Sequence, residues 1–188
     1  MIEYGGFSKR VRAFLIDVAL VLPLALLNIW SWYESSQAAM VSALLLSLIT
    51  PSYLILFHAI CGQSMGKMVV GLRVEKLNGT PLTWWAALVR FSPAVVFCVA
   101  SGVGAAVAIH SLPDGALALA TYTQKARLIR THKPPWVHWC AYLNLVWLLA
   151  EVLVLQASTQ KRAIHDLLAG TVVTYSGTRR FTPGERAA

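Results

Sequence analysis

Apolar residues fall along this chain in four long blocks, at residues 13–32, 38–60, 86–109 and 136–155. Each block is close to the roughly 20 residues that an α-helix needs to cross the hydrocarbon core of a bilayer. The short link at residues 33–37 joins the first two blocks and predicts an antiparallel helical hairpin. Trp30, Trp32 and Tyr33 end the first block, Trp84 and Trp85 precede the third, and Trp136 and Trp139 open the fourth. Those positions fit an interfacial aromatic belt.

Two stretches break the pattern. In GLRVEKLNGTPL, Leu72 and Val74 alternate with Arg73 and Glu75, and Asn78-Gly79 follows as a type I′ turn signal. TVVTYS at residues 171–176 reads as a second short strand, and the two are expected to pair into a small cytoplasmic sheet. Residues 112–135 form a basic insertion: a short apolar stretch, 112–123, precedes Lys125, Arg127, Arg130 and Lys133. An interfacial amphipathic helix on the outer surface accounts for it. The alternative is a half-span or a fifth crossing, which would carry the C-terminal basic residues outside. The expected fold is therefore an all-α membrane protein: a bundle of about four transmembrane helices with a small cytoplasmic β element and an interfacial amphipathic helix. One domain over residues 1–176 would be followed by a short basic tail at 177–188.

Composition agrees with the bilayer as solvent. Of 188 residues 57% are apolar and 13% charged, where a soluble domain has about half and about a quarter; mean hydropathy is +0.60. The start of the chain is basic and then apolar, like a secretory signal. However, the run is too long for an h-region, carries Asp17 and Asn28, and has no clear cleavage site, so it is expected to stay as a helix. With the N-terminus inside, twelve Lys/Arg residues fall on the cytoplasmic side and four on the other. That asymmetry favours both termini in the cytoplasm. The net charge of +8 then implies contact with anionic lipids. Basic residues form no long patch interleaved with aromatics, which argues against nucleic acid as a partner.

Candidate chemistry gathers at one end of the bundle. A charge in an apolar span costs at least about 2.5–3.5 kcal/mol, so Asp17 needs a partner or water. Arg10 lies seven residues earlier, about 10 Å along the helix and nearly two turns away, on the same face as Asp17. Arg12 is turned well off that face. Arg90 one turn into the third block, Glu151 near the end of the fourth, and His165 and Asp166 just beyond it fall at the same level. Arg10 or Arg90 is the expected partner of Asp17. The cluster suits a neutralised ion-pair network, and it equally suits a proton or cation site, since buried carboxylates hold protons more tightly.

Other features carry less. GQSMGK at residues 62–67 has three residues between its glycines where a phosphate loop needs four, and Met68 stands where Ser or Thr belongs. Its glycines read as a turn. Gly102, Gly104, Ala105, Ala106 and Ala108 form a small-residue face for close helix packing. Cys61, Cys98 and Cys140 are far apart, and the remaining histidines show no ligand spacing, so neither disulfides nor a metal centre is expected. No nucleophile–base pair is evident, Ser64 and Ser92 included. Neither an enzyme nor a cofactor is expected.

Three blocks in order, GF-x-KR-x-x-A-x-x-ID at residues 6–17, GQSMGKMVVGLRV at 62–74 with NGTPLTWWAALVR behind it, and KRAIHDLLAGTVV at 161–173, resemble the RDD family of membrane proteins. The resemblance covers most of the chain and departs from the family pattern at the insertion. It places the family's arginine at Arg10 and its two aspartates at Asp17 and Asp166. It implies a bacterial inner-membrane protein, with transport and cation/proton exchange suggested for some members. Two readings follow. One is a small transporter with Asp17 as its protonatable carboxylate, Arg10 tuning it and Asp166 with His165 gating. The other is a non-catalytic assembly or scaffold subunit whose charges are structural. Four helices are few for alternating access, so a homo-oligomer or another membrane protein is an expected partner.

Overall fold

The structure, a computed structural model, describes residues 3–113 and 115–176; the basic tail expected at 177–188 lies outside them. In chain order the elements are α1 (Phe7–Glu34), α2 (Ser36–Cys61), α3 (Met65–Val69), β1 (Leu72–Lys76), α4 (Trp84–His110), α5 (Tyr122–Thr131), α6 (Pro135–Ala157), α7 (Ile164–Leu168) and β2 (Thr171–Tyr175). Four helices, α1, α2, α4 and α6, are long and apolar enough to cross a membrane, and each encloses one of the expected blocks. They overrun those blocks because their polar flanks stay helical; α1 begins at Phe7, where the apolar run begins at Ala13. Pro23, Pro51 and Pro93 lie within three of them, which helices in lipid tolerate. Their outer surfaces expose residues such as Leu26, Leu45, Val96, Leu143 and Leu149, as lipid-facing helices do. The protein is thus an all-α, multi-pass membrane protein with one small sheet.

The chain divides into two compact units, and each long helix contributes to both. The first unit takes in residues up to 19, 53–92 and those from 147 onward, and it contains the sheet. β1 and β2 pair antiparallel from Leu72↔Tyr175 to Lys76↔Thr171. The alternation read in β1 is real: Leu72 and Val74 are fully buried, and with Leu82, Ala87 and Val173 they form a core. The turn after β1 is closed by Gly79, at φ 78°, and by a hydrogen bond from Lys76 N to Thr80 O at 3.0 Å. Residues ahead of α1 extend the sheet, through a Tyr4↔Thr174 bridge and a Gly5 N to Val173 O bond of 2.8 Å.

The second unit holds residues 20–52 and 93–146. Its helices approach closely where they are small or hydroxylated. A side chain on Gly102 would overlap Ser47 of α2, and one on Gly104 would overlap Val137 of α6. Asn28 of α1 donates to Ser42 Oγ of α2 at 2.8 Å, and Ser31 and Ser42 hydroxyls lie 2.6 Å apart. Such polar contacts join helices in lipid.

The basic insertion resolves in favour of the amphipathic helix. Described residues between 111 and 120 make turns and no half-span, and α5 follows at Tyr122. One of its basic residues is not on the surface. Lys125 is fully buried, donates to Trp32 O at 3.0 Å, and sits 3.6 Å over the Tyr33 ring. It thereby supplies a cation to the last turn of α1, where carbonyls lack partners. Lys125→Ala should lower the free energy of unfolding by about 1–3 kcal/mol, and Arg127→Ala on the exposed face by less than about 0.5. Thermal unfolding in mild detergent measures both.

Candidate functional site

Asp166, in the single turn of α7, is fully buried and lies between two arginines of the first unit. Arg10 of α1 donates to Asp166 Oδ2 at 2.6 Å, and Arg90 of α4 donates to Oδ1. Oδ2 also accepts from Ala163 N at 3.0 Å, which closes the start of α7. Arg10 reaches further, to Gly5 O at 2.9 Å and to Lys161 O. Arg90 also donates to Thr171 Oγ1 at 2.6 Å, at the start of β2. One carboxylate therefore joins the segment before α1, α4, α7 and the sheet. Burial alone would raise the Asp166 pKa, but the charges of Arg90 and Arg10 override it and hold the carboxyl well below the usual range.

His165 extends the network through its two ring nitrogens. Arg90 Nη2 lies 3.0 Å from His165 Nε2, and a guanidinium can only donate, so Nε2 is the acceptor. The ring proton is then on Nδ1, which faces Glu151 Oε2 at 2.8 Å. The His165 backbone N donates to Glu151 Oε1 at 3.0 Å. A second ring proton would point at Arg90. Desolvation, and then the Arg90 charge, lower the His165 pKa against the pull of Glu151 and Asp166.

Asp17 stands apart from this network, contrary to the pairing with Arg10 or Arg90 expected from their spacing. Both arginines are taken by Asp166. The partners of Asp17 are neutral: Tyr53 OH at 2.8 Å and Gly66 N at 2.8 Å on Oδ1, and Ser64 Oγ at 2.6 Å on Oδ2. The seat is built by the segment set aside as a failed phosphate loop. Ser64 caps α3, and Gly66 lies so close that a Cβ there would overlap Ala13 O and the Asp17 carboxyl. Gly62, at φ 71°, makes the turn out of α2 that the sequence suggested.

Next to this seat a second pair forms. His58, fully buried in α2, has Nδ1 2.7 Å from Leu54 O and Nε2 2.7 Å from Lys67 Nζ. Since the carbonyl can only accept, Nδ1 carries the proton and Nε2 accepts from Lys67. Burial, reinforced by the Arg90 charge, pushes Lys67 down to about 7 against the pull of Asp166 and Asp17. Of the six residues read as a cluster, five share one network (Arg10, Arg90, Glu151, His165 and Asp166), and Asp17 heads another. Tyr53, His58, Ser64, Gly66, Lys67 and Thr171 were missed. Ser64 carried the one usable signal, as an N-cap residue type at the start of α3.

These features define a four-helix membrane protein whose polar residues collect around α3, α7 and the sheet. The sequence profile of the RDD family matches residues 4–170, nearly the whole chain, and the chain belongs to that family. The Bacillus subtilis (strain 168) protein YckC, named there only as an uncharacterized protein, is 25% identical over 184 residues, covering 96% of this chain and 87% of YckC. No solved structure matches the chain. Of the family's arginine and two aspartates, the structure brings Arg10 and Asp166 into contact and gives Asp17 its own surroundings.

Two groups of the first network, His165 and Asp166, bind protons less readily when folded. His165 has an unfolded value of about 6.5 and Asp166 one of about 3.9, and both are lowered in the fold. Their contribution is complete above about pH 6.5 and falls as pH drops, first through His165 and then below about pH 4 through Asp166. Unfolding midpoints in detergent between pH 8 and pH 4 should therefore decline with acid. His165→Gln should flatten the part of that decline that begins at about pH 6.5.

Proposed function

We propose that this chain is a proton-coupled exchanger of a small monovalent cation, working at Asp17. The observation that carries the reading is the contrast between its two aspartates. Asp166 holds two arginines, whereas Asp17, in a membrane-crossing helix, gathers hydroxyls and one N–H with no ion pair among the described residues. A carboxylate held by neutral donors and lacking a cationic side chain is a seat for a cation in apolar surroundings. The hydroxyl oxygens of Tyr53 and Ser64 beside the carboxylate offer the hard oxygen donors that a cation such as sodium prefers.

Lys67 provides the coupling in this reading. Its protonated ammonium favours an empty, anionic Asp17; a cation at Asp17 favours neutral Lys67, which loses its proton near pH 7. Arg10, Arg90, His165 and Asp166 then hold the site's frame, and the gating role considered for Asp166 and His165 passes to Lys67. The bias of twelve Lys/Arg residues against four supports both termini on the cytoplasmic side of a bacterial plasma membrane. Four crossing helices make a homo-oligomer, or a second membrane protein, part of the proposal. No enzymatic step is assigned.

The closed state of the Arg10–Asp166–Arg90 network supports the second reading, a non-catalytic scaffold subunit. A charge set with every carboxylate oxygen occupied does what a structural lock requires and nothing more. Reconstitution into liposomes separates the two. A sodium or potassium gradient should change the internal pH of vesicles holding the wild-type protein. Asp17→Asn should reduce the flux to the protein-free level, and Lys67→Met should remove its dependence on pH around 7. Flux unaffected by Asp17→Asn sinks the exchanger. No flux at all, with stable co-purification of another membrane protein, favours the scaffold.

A further inference from the structure

The second unit carries a one-sided charge. Its described residues include four Lys/Arg side chains (Lys125, Arg127, Arg130 and Lys133) and one acid, Glu34. Lys125 is used by the end of α1. Arg130 and Lys133 make no hydrogen bond or ion pair through their side chains among the described residues. Both line the same cavity, of about 500 Å³, whose other walls include Trp32, Leu46, Thr50 and Ser101.

We propose that this cavity holds an anionic phospholipid, with its phosphodiester between Arg130 and Lys133. The shared chemistry is a phosphate oxyanion met by two cations, one of them a guanidinium that can grip two oxygens at once. Three features select a lipid over a soluble anion. The volume suits a ligand of drug-like size, far larger than a lone oxyanion. Most of the wall beyond the cations comes from α1, α2 and α4, all long and apolar enough to cross the membrane, where Trp32, Ala43, Leu46 and Ala105 offer carbon to an acyl chain. Trp32 lies two residues before the end of α1, at the level where indole rings and lipid headgroups coincide. Thr50 and Ser101 add hydroxyl groups to the wall.

The occupant gives a partner to two cations that have none among the described residues. It also gives the basic insertion a purpose: α5 brings Arg130 to the groove, while its buried Lys125 and Ile129 fix the helix in place. The site does not depend on the exchanger reading, because none of its residues takes part in the Asp17 seat.

Purified full-length protein in mild detergent, mixed with phosphatidylglycerol or phosphatidylcholine and examined by native mass spectrometry, tests the proposal. Wild-type protein should retain phosphatidylglycerol about tenfold better than phosphatidylcholine, and the Arg130→Gln/Lys133→Gln double variant should lose that preference. Arg127→Gln, on the same helix but outside this cavity, should keep it and controls for general charge. Millimolar inorganic phosphate should not displace the lipid. Equal retention of the two lipids, an unchanged double variant, an equal loss in Arg127→Gln, or displacement by inorganic phosphate would each overturn the assignment.

Discussion

The arrangement of the first unit depends on one buried carboxylate between two guanidinium groups. Asp166 binds Arg10 from α1 and Arg90 from α4, and its own backbone and neighbours lead directly into β2. Taking such charges out of water costs several kcal/mol per ion, and only close pairing with full hydrogen bonding offsets that cost. Here both Asp166 oxygens are occupied, and Thr171 and His165 take further guanidinium hydrogens, while the buried Arg90 Nε has no hydrogen-bond partner among the described residues. The consequence is specificity of arrangement more than net stability. Segments 156 residues apart in the chain are tied at one point.

This lock also decides which groups are free for chemistry. Because Arg10 and Arg90 are committed to Asp166, Asp17 is left with neutral donors, and Lys67 sits against His58 under pressure from the Arg90 charge. The same arginine that fixes Asp166 as an anion lowers the proton affinity of Lys67. A structural network and the Lys67–His58 pair are therefore electrostatically joined. On this account the exchanger and scaffold readings use different residues of one unit, instead of competing for the same ones.

The spans were legible because twenty apolar residues in a row leave few alternatives. The sheet was legible too, since Leu72 and Val74 alternate with polar residues, but the turn at Asn78-Gly79 is not the type I′ expected, because only Gly79 has a positive φ. The site was legible only in membership. Arg10 and Asp17 share a helical stripe, yet two turns is too far for contact, and Arg10 is drawn instead to a residue 156 positions away. Spacing along one helix cannot reveal which distant carboxylate wins. Lys125 misled for a similar reason: a lysine in a basic helix looks solvated until the end of another helix offers it carbonyls and an aromatic face. GQSMGK was discounted because it fails as a phosphate loop, while its use as a carboxylate seat has no spacing rule to betray it.

A double-mutant cycle between Arg90 and Asp166 tests the central claim most directly. The unfolding free energies of the wild type, Arg90→Met, Asp166→Asn and the combined variant would be compared in one detergent. Each single change should cost about 3–5 kcal/mol, and the double change should cost less than their sum, because either single change already removes the Arg90–Asp166 pair, while Arg10 loses its carboxylate in both variants that lack Asp166. Additive effects would contradict the account, since they would mean that the two side chains stabilise the fold independently.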